Sequence, residues 1–141
     1  MAALDQPTST RKLAAILSAD IAGYSTLMGA DEEGTVRKLR QVREAVLPII
    51  EQFGGRIIDL AGDGILAEFP SAVRAMESAA AVQDRMGELN AQSGPPMLFR
   101  IGVNVGDVIH EGERLYGDGI NVAARLQAIA EPGGICISNK V

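Results

Sequence analysis

Cysteine and histidine are almost absent from this sequence of 141 residues, which narrows the chemistry that it can support. Cys136 is the single cysteine, so no internal disulfide can form, and a reducing compartment is indicated. His110 is the single histidine, which excludes sites that need two imidazoles, as most zinc enzyme sites do. We expect Cys136 to be a buried strand residue and assign no chemical role to His110.

Basic residues and long apolar runs are scarce as well. There are 13 Lys and Arg residues against 18 Asp and Glu residues, and the net charge of -5 is unfavourable for a surface that binds nucleic acid. No apolar run approaches the roughly 20 residues that a membrane-spanning helix needs, and no signal peptide is visible. We therefore expect a cytoplasmic protein with no nucleic-acid partner and no membrane span in this segment.

The composition that remains is that of one folded domain. Hydrophobic residues make up 47% of the chain and charged residues 22%, which excludes intrinsic disorder. A chain of this length forms a single domain. Residues 1–10 are expected to form a loose N-terminal tail, because Pro, Ser and Thr are frequent there, and residues 11–141 are expected to hold the ordered structure.

Hydrophobic periodicity predicts the order strand, helix, strand, strand, helix, strand, followed by a further helix and strand. Gly54 and Gly55 end the first long helix, in which Pro48 is expected to cause a kink, and Ser71 is the candidate N-cap of the second. Strands are predicted at residues 12–19, 56–61, 65–69, 97–109 and 135–138, a loop at residues 111–119 and the third helix at residues 120–130.

This order predicts an α+β fold with a ferredoxin-like βαββαβ core, in which the two long helices cover one face of an antiparallel sheet. The other face is expected to stay open. Such a face would suit a partner surface or a functional site rather than a core. Alternation along the strands brings small and polar residues to it, namely Ser18, Asp20, Asp59, Ala61, Gly102, Asn104 and Gly106.

Two acidic residues, Asp20 and Asp63, are the candidates for metal binding. Asp20 ends the first strand and Asp63 lies in the hairpin turn, and in this fold the second hairpin strand usually neighbours the first. Both carboxylates could then meet at one edge and hold a pair of Mg²⁺ ions, whose other positions are left to water and substrate phosphates. Each also has an ordinary explanation, since Asp63 with Gly64 is a common turn dipeptide and Asp20 could cap a helix.

The segment after Asp20 is a candidate phosphate-binding site. If a helix starts within residues 21–25, its free N–H groups would point toward a phosphate bound beside the metals, and Gly23, Tyr24 and Ser25 would be the contacts. An ordinary turn between a strand and a helix explains the segment as well.

Asn121 and Arg125 are four residues apart and share one face of the third helix. An asparagine that holds a ribose oxygen and an arginine that neutralises a phosphoryl transition state would need such a placement. Alternatively, Arg125 is a solvated or salt-bridged helix residue.

Four stretches, taken together and in order, resemble the class III nucleotide cyclases, the adenylate and guanylate cyclase catalytic domain. They are residues 18–25 (SADIAGYS), 60–69 (LAGDGILAEF), 100–108 (RIGVNVGDV) and 116–126 (YGDGINVAARL). They extend over nearly the whole chain from Arg11 onward, and their collinearity is far more specific than any single motif. The sequence is similar to the soluble bacterial subgroup that is common in rhizobia.

The resemblance implies a reaction and a set of site residues. Asp20 and Asp63, with the backbone of Ile21, would bind two Mg²⁺ or Mn²⁺ ions, which activate the ribose 3′-hydroxyl for attack on the α-phosphate and hold the departing pyrophosphate. Asn121 would orient the ribose, and Arg125 would stabilise charge on the α-phosphate. In this family the metal ligands come from one subunit and the Asn and Arg from the other. A chain that holds all four implies a head-to-tail homodimer with two sites, with the open sheet face and the third helix as its interface.

The sequence departs from the family pattern at the pair that reads the purine. Adenylate cyclases usually carry Lys four residues before the second metal Asp, where this chain has Asp59. They usually carry Asp, Thr or Ser seven residues before the Asn, where it has Arg114. The two could read adenine with exchanged partners, could read guanine, or could pair with each other and leave weak or promiscuous activity. We favour ATP because adenylate cyclases dominate the bacterial subgroup.

Several functions stay open beside that of an active adenylate cyclase. They are a guanylate cyclase, a non-catalytic cyclase-like module for nucleotide binding or dimerisation, and an unrelated ferredoxin-like metal-binding domain. Family domains continue beyond the position of Val141 and usually supply a phosphate-binding lysine there, for which Lys140 lies too early. The resemblance therefore implies that the catalytic domain at residues 11–141 is incomplete at its C-terminus.

Overall fold

Six strands and four helices follow one another in the part of the chain that the structure, a computed structural model, describes: residues 9–92 and 94–141. The predicted order of strands and helices is present, with a short helix, α1, and a short strand, β5, added to it. The bounds in chain order are β1 (Ser9–Ile21), α1 (Tyr24–Ala30), α2 (Glu32–Gln52), β2 (Arg56–Asp59), β3 (Ile65–Phe69), α3 (Ala72–Gln92), β4 (Phe99–Glu111), β5 (Arg114–Tyr116), α4 (Asp118–Ile129) and β6 (Ile135–Ile137).

The strands form one sheet in the order β2-β3-β1-β4-β5, and β6 pairs in parallel with β4. The remaining strand pairs are antiparallel, and β1 lies between β3 and β4, so the predicted contact between the first strand and the second hairpin strand is confirmed. In this register Asp20 is opposite Arg100 of β4, and Ala19 is opposite Ile65 at the start of β3. The loop between β2 and β3 therefore lies beside the end of β1.

The helices α2 and α3 pack against each other on one face of the sheet and enclose the main hydrophobic core. Apolar residues recur along both helices at three- and four-residue steps, which places them on the face toward the sheet. Full burial of an aliphatic side chain stabilises a fold by about 1.5–3 kcal/mol, so these stripes hold the helices in place. The buried apolar residues of the two helices are Leu39, Val42, Val46, Ile50, Ala75, Ala79, Val82 and Met86.

The helix α4 packs on the opposite face, over β1 and β4. The expectation that this face stays open was wrong for its central part, because the small residues there make room for the helix. A Cβ atom on Gly102 would lie 2.4 Å from the backbone oxygen of Ala123, and one on Gly106 would lie 3.0 Å from Cα of Gly119. Asn104 is buried and donates from Nδ2 to the Gly119 oxygen at 3.0 Å. A second, smaller hydrophobic cluster lines this contact: Ala14, Ile16, Val108, Leu115 and Ala123.

The structure differs from the prediction at the start of β1, in the loop that contains β5, and in the burial of Cys136. β1 begins at Ser9, so the last two residues of the expected tail lie in a strand, while residues 1–8 fall outside the described part of the chain. The predicted loop at residues 111–119 contains β5, because Leu115 pairs with His110 and is buried on the face that α4 covers. Cys136 lies in β6 as predicted but is half-buried rather than buried, since β6 lies at the sheet edge.

Two local helix predictions concern Ser71 and Pro48. Ser71 caps α3 as predicted, because its Oγ accepts a hydrogen bond from the backbone N–H of Arg74 at 3.2 Å. α2 continues through Pro48 as far as Gln52. Within residues 9–92 and 94–141, no helix combines the length and the apolar character that a membrane span requires.

Candidate active site

The loop between β2 and β3 presents Asp63 to the end of β1. Gly62 has a φ of 60°, a left-handed conformation that glycine adopts without strain. The N–H of Gly64 donates to the Ala61 oxygen at 2.9 Å, which closes the turn around Asp63. The Oδ2 atom of Asp63 accepts the backbone N–H of Ile21 at 2.9 Å. This bond joins two segments that are 42 residues apart and places the Asp63 carboxylate next to the residue that follows Asp20.

Asp20 and Asp63 line one cavity of about 360 Å³, which we name the carboxylate cavity. Its walls come from the end of β1, the loop between β2 and β3, the start of β3, and α4. Asp20 is held by Arg100, whose Nε and Nη2 atoms donate to Oδ1 and Oδ2 at 3.2 and 3.1 Å. Such a two-point pairing is stronger than a single contact because both carboxylate oxygens are bound. The lining residues are Ser18, Ala19, Asp20, Asp59, Ala61, Asp63, Gly64, Ile65, Leu66, Ile120, Ala124 and Gln127.

The donor set of the carboxylate cavity fits a hard divalent cation. Among the described residues no group of three or more His, Cys, Asp and Glu side chains converges, so a complete protein cage for a metal is not formed there. Mg²⁺ does not need such a cage, because it is commonly held by one or two carboxylates, with water and substrate phosphates as its other ligands. Asp20 and Asp63 supply that number of carboxylates, and both are partly accessible.

The candidate phosphate-binding segment lies directly after β1. α1 begins at Tyr24, after Gly23 with a φ of 66°, and the N–H of Leu27 donates to the Gly23 oxygen at 3.1 Å. Gly23 and Ser25 are exposed, whereas the Tyr24 side chain packs against the core under α2 and α3. A ligand at this turn would therefore meet backbone N–H groups and the Ser25 hydroxyl rather than the tyrosine ring.

Asn121 and Arg125 do not line the carboxylate cavity of their own chain. Asn121 borders a neighbouring cavity of about 390 Å³, formed by β5 and the start of α4. The side chain of Arg125 is 73% exposed, and its Nη2 atom lies 3.7 Å from Oδ1 of Asp118, whose side chain is more exposed still. A pair this exposed contributes little to stability, so the Arg125 guanidinium is available to another partner.

The pair proposed to read the purine is divided between two elements. Asp59 ends β2 and lines the carboxylate cavity. Arg114 begins β5, is exposed, and lies over the ring of Tyr116 at 5.3 Å from its centroid. Within the described residues Asp59 and Arg114 form no ion pair with each other, and Arg114 does not line the carboxylate cavity.

Comparison with known proteins assigns this arrangement to a family. A model of the adenylate and guanylate cyclase catalytic domain matches residues 7–141. The chain belongs to this cyclase family. It is 46% identical over 134 residues to a Rhizobium meliloti protein provisionally named adenylate cyclase 3, and 33% identical over 121 residues to an adenylate cyclase of Glutamicibacter nicotianae. These alignments cover 93% and 83% of the chain but 23% and 28% of the two proteins, so it spans about a quarter of their length.

Solved cyclase structures share the fold of this cyclase domain. An adenylate/guanylate cyclase/hydrolase from Silicibacter pomeroyi is 41% identical, with a TM-score of 0.86 over 94% of this chain and 78% of the other. The guanylyl cyclase Cya2 is 27% identical, with a TM-score of 0.83 over 94% of this chain and 77% of the other. The predicted α+β fold and the resemblance to class III cyclases are thereby confirmed.

Two features of the cyclase domain were missed by sequence reasoning. Arg100 lies within a stretch that carries the resemblance, but its contact with Asp20 follows from the pairing of β1 with β4, which no local pattern reveals. His110 also has partners: its Nε2 lies 2.6 Å from Oε2 of Glu68, which is 7% exposed and accepts a hydrogen bond from Arg56 at 3.1 Å. This cluster joins β2, β3 and β4 outside the carboxylate cavity.

Proposed function

We propose that this cyclase domain converts ATP to 3′,5′-cyclic AMP and pyrophosphate. The 3′-oxygen forms a bond to the α-phosphorus, and the bond from that phosphorus to the oxygen bridging to the β-phosphate breaks, so that pyrophosphate leaves. The proton of the 3′-hydroxyl passes to solvent water. The observation that carries the proposal is the convergence of Asp20 and Asp63, which are remote in sequence, on one cavity. Two carboxylates at an accessible strand end support this reaction, because they could hold cations while leaving space for a triphosphate.

Asp20 and Asp63, with the backbone of Ile21, are the residues that would hold two Mg²⁺ or Mn²⁺ ions. When bound, the ions would favour ionisation of the 3′-hydroxyl and offset the charge of the triphosphate. Arg100 pairs with Asp20, and if a cation took its place there, the guanidinium would remain available to bind the polyphosphate. The backbone at Gly23 to Ser25 would bind a phosphate oxygen by its N–H groups.

Asn121 and Arg125 are proposed to act on the carboxylate cavity of a second copy of the chain. Their exposure, outside the cavity of their own chain, supports this placement. A head-to-tail homodimer would then have two sites, each with Asp20 and Asp63 from one protomer and Asn121 and Arg125 from its partner. Asn121 would orient the ribose by hydrogen bonding, and Arg125 would stabilise the charge that develops on the α-phosphate.

ATP is the favoured substrate, with GTP as the alternative. The Rhizobium meliloti and Glutamicibacter nicotianae relatives are named as adenylate cyclases, which supports ATP. The Cya2 structure is that of a guanylyl cyclase, and it keeps the alternative open. Asp59 offers a hydrogen-bond acceptor and Arg114 a donor, and this combination matches the edge of either adenine or guanine.

ATP is a cytoplasmic metabolite and Cys136 is unpaired, so we infer a cytoplasmic location for the domain.

Product analysis with each of the four nucleoside triphosphates and Mn²⁺ tests the proposed function. Cyclic AMP and pyrophosphate should form in equal amounts from ATP. Asp20→Asn and Asp63→Asn should each lower kcat by at least about a hundredfold while circular dichroism stays that of the wild type, because the carboxylates are needed for the cations. Nucleotide binding without any cyclic product would instead favour the non-catalytic module, and full turnover by either variant would exclude the two-metal assignment.

A further inference from the structure

The loop that carries Asp63 is held from the middle of α2 by Arg43. Its Nη2 atom donates hydrogen bonds to the backbone oxygens of Leu60, at 3.4 Å, and of Gly62. Arg43 is 17 and 19 residues away from these two partners in the sequence, so the contacts tie α2 to the loop between β2 and β3. The Gly62 oxygen belongs to the peptide unit that joins Gly62 to Asp63, so Arg43 acts on the peptide group immediately before the carboxylate residue.

This loop has few other restraints on its outer side. Ala61 and Gly62 are exposed, and Gly62 has the backbone freedom of glycine at a left-handed φ. On its inner side, Asp63 is held by the N–H of Ile21. The turn is closed by the bond from Gly64 to Ala61, and two hydrogen-bonded contacts tie it to other elements: Arg43 on the peptide before Asp63, and Ile21 on the Asp63 side chain. Loss of either contact would let the carboxylate move relative to Asp20.

The surroundings of Arg43 indicate that its contacts with the loop carbonyls are what favours an arginine at this position. It is half-buried in a groove beside the apolar part of α2, and its buried Nε atom has no hydrogen-bond partner among the described residues. An unpaired buried donor is unfavourable, so an apolar residue would be the simpler choice at this position. The bonds from Nη2 to the loop are the contacts that offset this cost.

We propose that Arg43 is a positioning residue that fixes the Asp63 carboxylate at the cation site by holding the Leu60 and Gly62 carbonyls. The inference rests on the proposed function, because it takes Asp63 to be a metal ligand. Arg43 itself touches neither substrate nor metal. Its removal should therefore weaken metal binding without changing the affinity for the nucleotide once metal is saturating.

The test is a titration of the full chain with Mn²⁺ alone, in which the electron paramagnetic resonance signal of the free ion measures how much Mn²⁺ remains unbound. Arg43→Met keeps the length of the side chain and removes its donors, and we expect the dissociation constant for Mn²⁺ to rise on the order of tenfold. Arg40→Met is the matched control: Arg40 lies on the same groove of α2, is exposed, and makes no hydrogen bond or ion pair among residues 9–92 and 94–141. It should bind Mn²⁺ as the wild type does.

Further variants separate positioning from a loss of stability. Arg43→Lys keeps the charge and one possible carbonyl contact, so its Mn²⁺ affinity should lie between those of the wild type and Arg43→Met, at a wild-type Tm. In turnover assays Arg43→Met should raise the half-saturating Mn²⁺ concentration by a similar factor and leave the KM for ATP at saturating Mn²⁺ unchanged. Wild-type Mn²⁺ binding by folded Arg43→Met, or Tm and Mn²⁺ affinity that fall together in both variants, would overturn the inference.

The variant Asp63→Asn distinguishes this inference from the proposed function. If Asp63→Asn weakens Mn²⁺ binding and Arg43→Met does not, the positioning role fails while the cation site stands. If Asp63→Asn binds Mn²⁺ like the wild type, the cation site itself is wrong, and the role of Arg43 fails with it.

Discussion

Asp20 and Arg100 face each other across β1 and β4, and Arg100 binds both oxygens of the Asp20 carboxylate, at 3.2 and 3.1 Å. Arg100 also donates from Nη1 to the backbone oxygen of Ala128 in α4 at 3.2 Å. At the proposed site the guanidinium would compete with a cation for Asp20 and would also add positive charge beside a bound polyphosphate. The first effect would weaken metal binding, whereas the second would favour turnover.

Replacing Arg100 with Met should separate the two effects. Mn²⁺ alone should bind about fivefold more tightly, because a half-exposed ion pair contributes up to about 1 kcal/mol and no longer competes. The kcat/KM for ATP should fall by about tenfold or more, because the triphosphate loses a positive neighbour. Arg85→Met is the control, since Arg85 pairs with Glu88 on the surface of α3. Equal or weaker Mn²⁺ binding by Arg100→Met would contradict this account.

Mixing two inactive variants should restore activity if the site is shared between protomers. One variant carries Asp20→Asn with Asp63→Asn, and the other carries Asn121→Ala with Arg125→Ala. In an equal mixture about half of the dimers are mixed and each has one complete site, so about a quarter of wild-type activity should return. The measurement is cyclic AMP formation before and after mixing. No recovery, although size-exclusion chromatography shows dimers, would contradict the head-to-tail arrangement.

The contact between α4 and the sheet should not tolerate a side chain at Gly102. A Cβ there would lie 2.4 Å from backbone atoms of Ala123 and Gln127, which cannot rotate away. Gly102→Ala should therefore lower the free energy of unfolding by about 3 kcal/mol in a denaturant titration. Gly87→Ala on the exposed face of α3 is the control, because its Cβ would meet nothing within 4 Å. It should raise stability by about 0.5–1 kcal/mol, as expected for a helix interior.

The ratio of kcat/KM for ATP to that for GTP tests whether Asp59 and Arg114 read the base. Each single change, Asp59→Ala or Arg114→Ala, should lower this ratio by about tenfold or more if the pair binds adenine, because a buried polar group of the base loses its partner. The double exchange Asp59→Lys with Arg114→Asp should then keep the preference for ATP. A native preference for GTP that moves to ATP in the double exchange would instead assign the pair to guanine. An unchanged ratio in all variants would show that these positions do not read the base.

The sequence predicted the features that depend on local patterns and on strand order. The stripes of α2 and α3, the cap at Ser71 and the neighbourhood of Asp20 and Asp63 follow from periodicity and from the common arrangement of a βαββαβ core. The covering of the second face did not follow, because the meaning of Gly102 and Gly106 depends on the path of α4. They look like residues of an open face until the helix that needs their lack of side chains is in place.

Contacts of single long side chains were also beyond sequence reasoning. Arg100 reaches Asp20 through the register of two strands 80 residues apart, and Arg43 reaches a loop from a helix. An arginine on a strand or on a half-buried helix position is ordinarily a solvated residue, and only the tertiary arrangement shows which carbonyl or carboxylate lies within its range. The charge and spacing of the two arginines carry no such information.

The close seating of α4 on Gly102 and Gly106 has a mechanical consequence. A Cβ on Gly102 would lie 2.4 Å from backbone atoms of α4, so the helix packs closely on β4, and this close packing restricts rotation of the helix about its own axis. We therefore expect the backbone of Asn121 and Arg125 to move together with the sheet. In the proposed homodimer, a closure that brought Arg125 toward a triphosphate on the other protomer would therefore be a movement of whole protomers rather than of α4 alone.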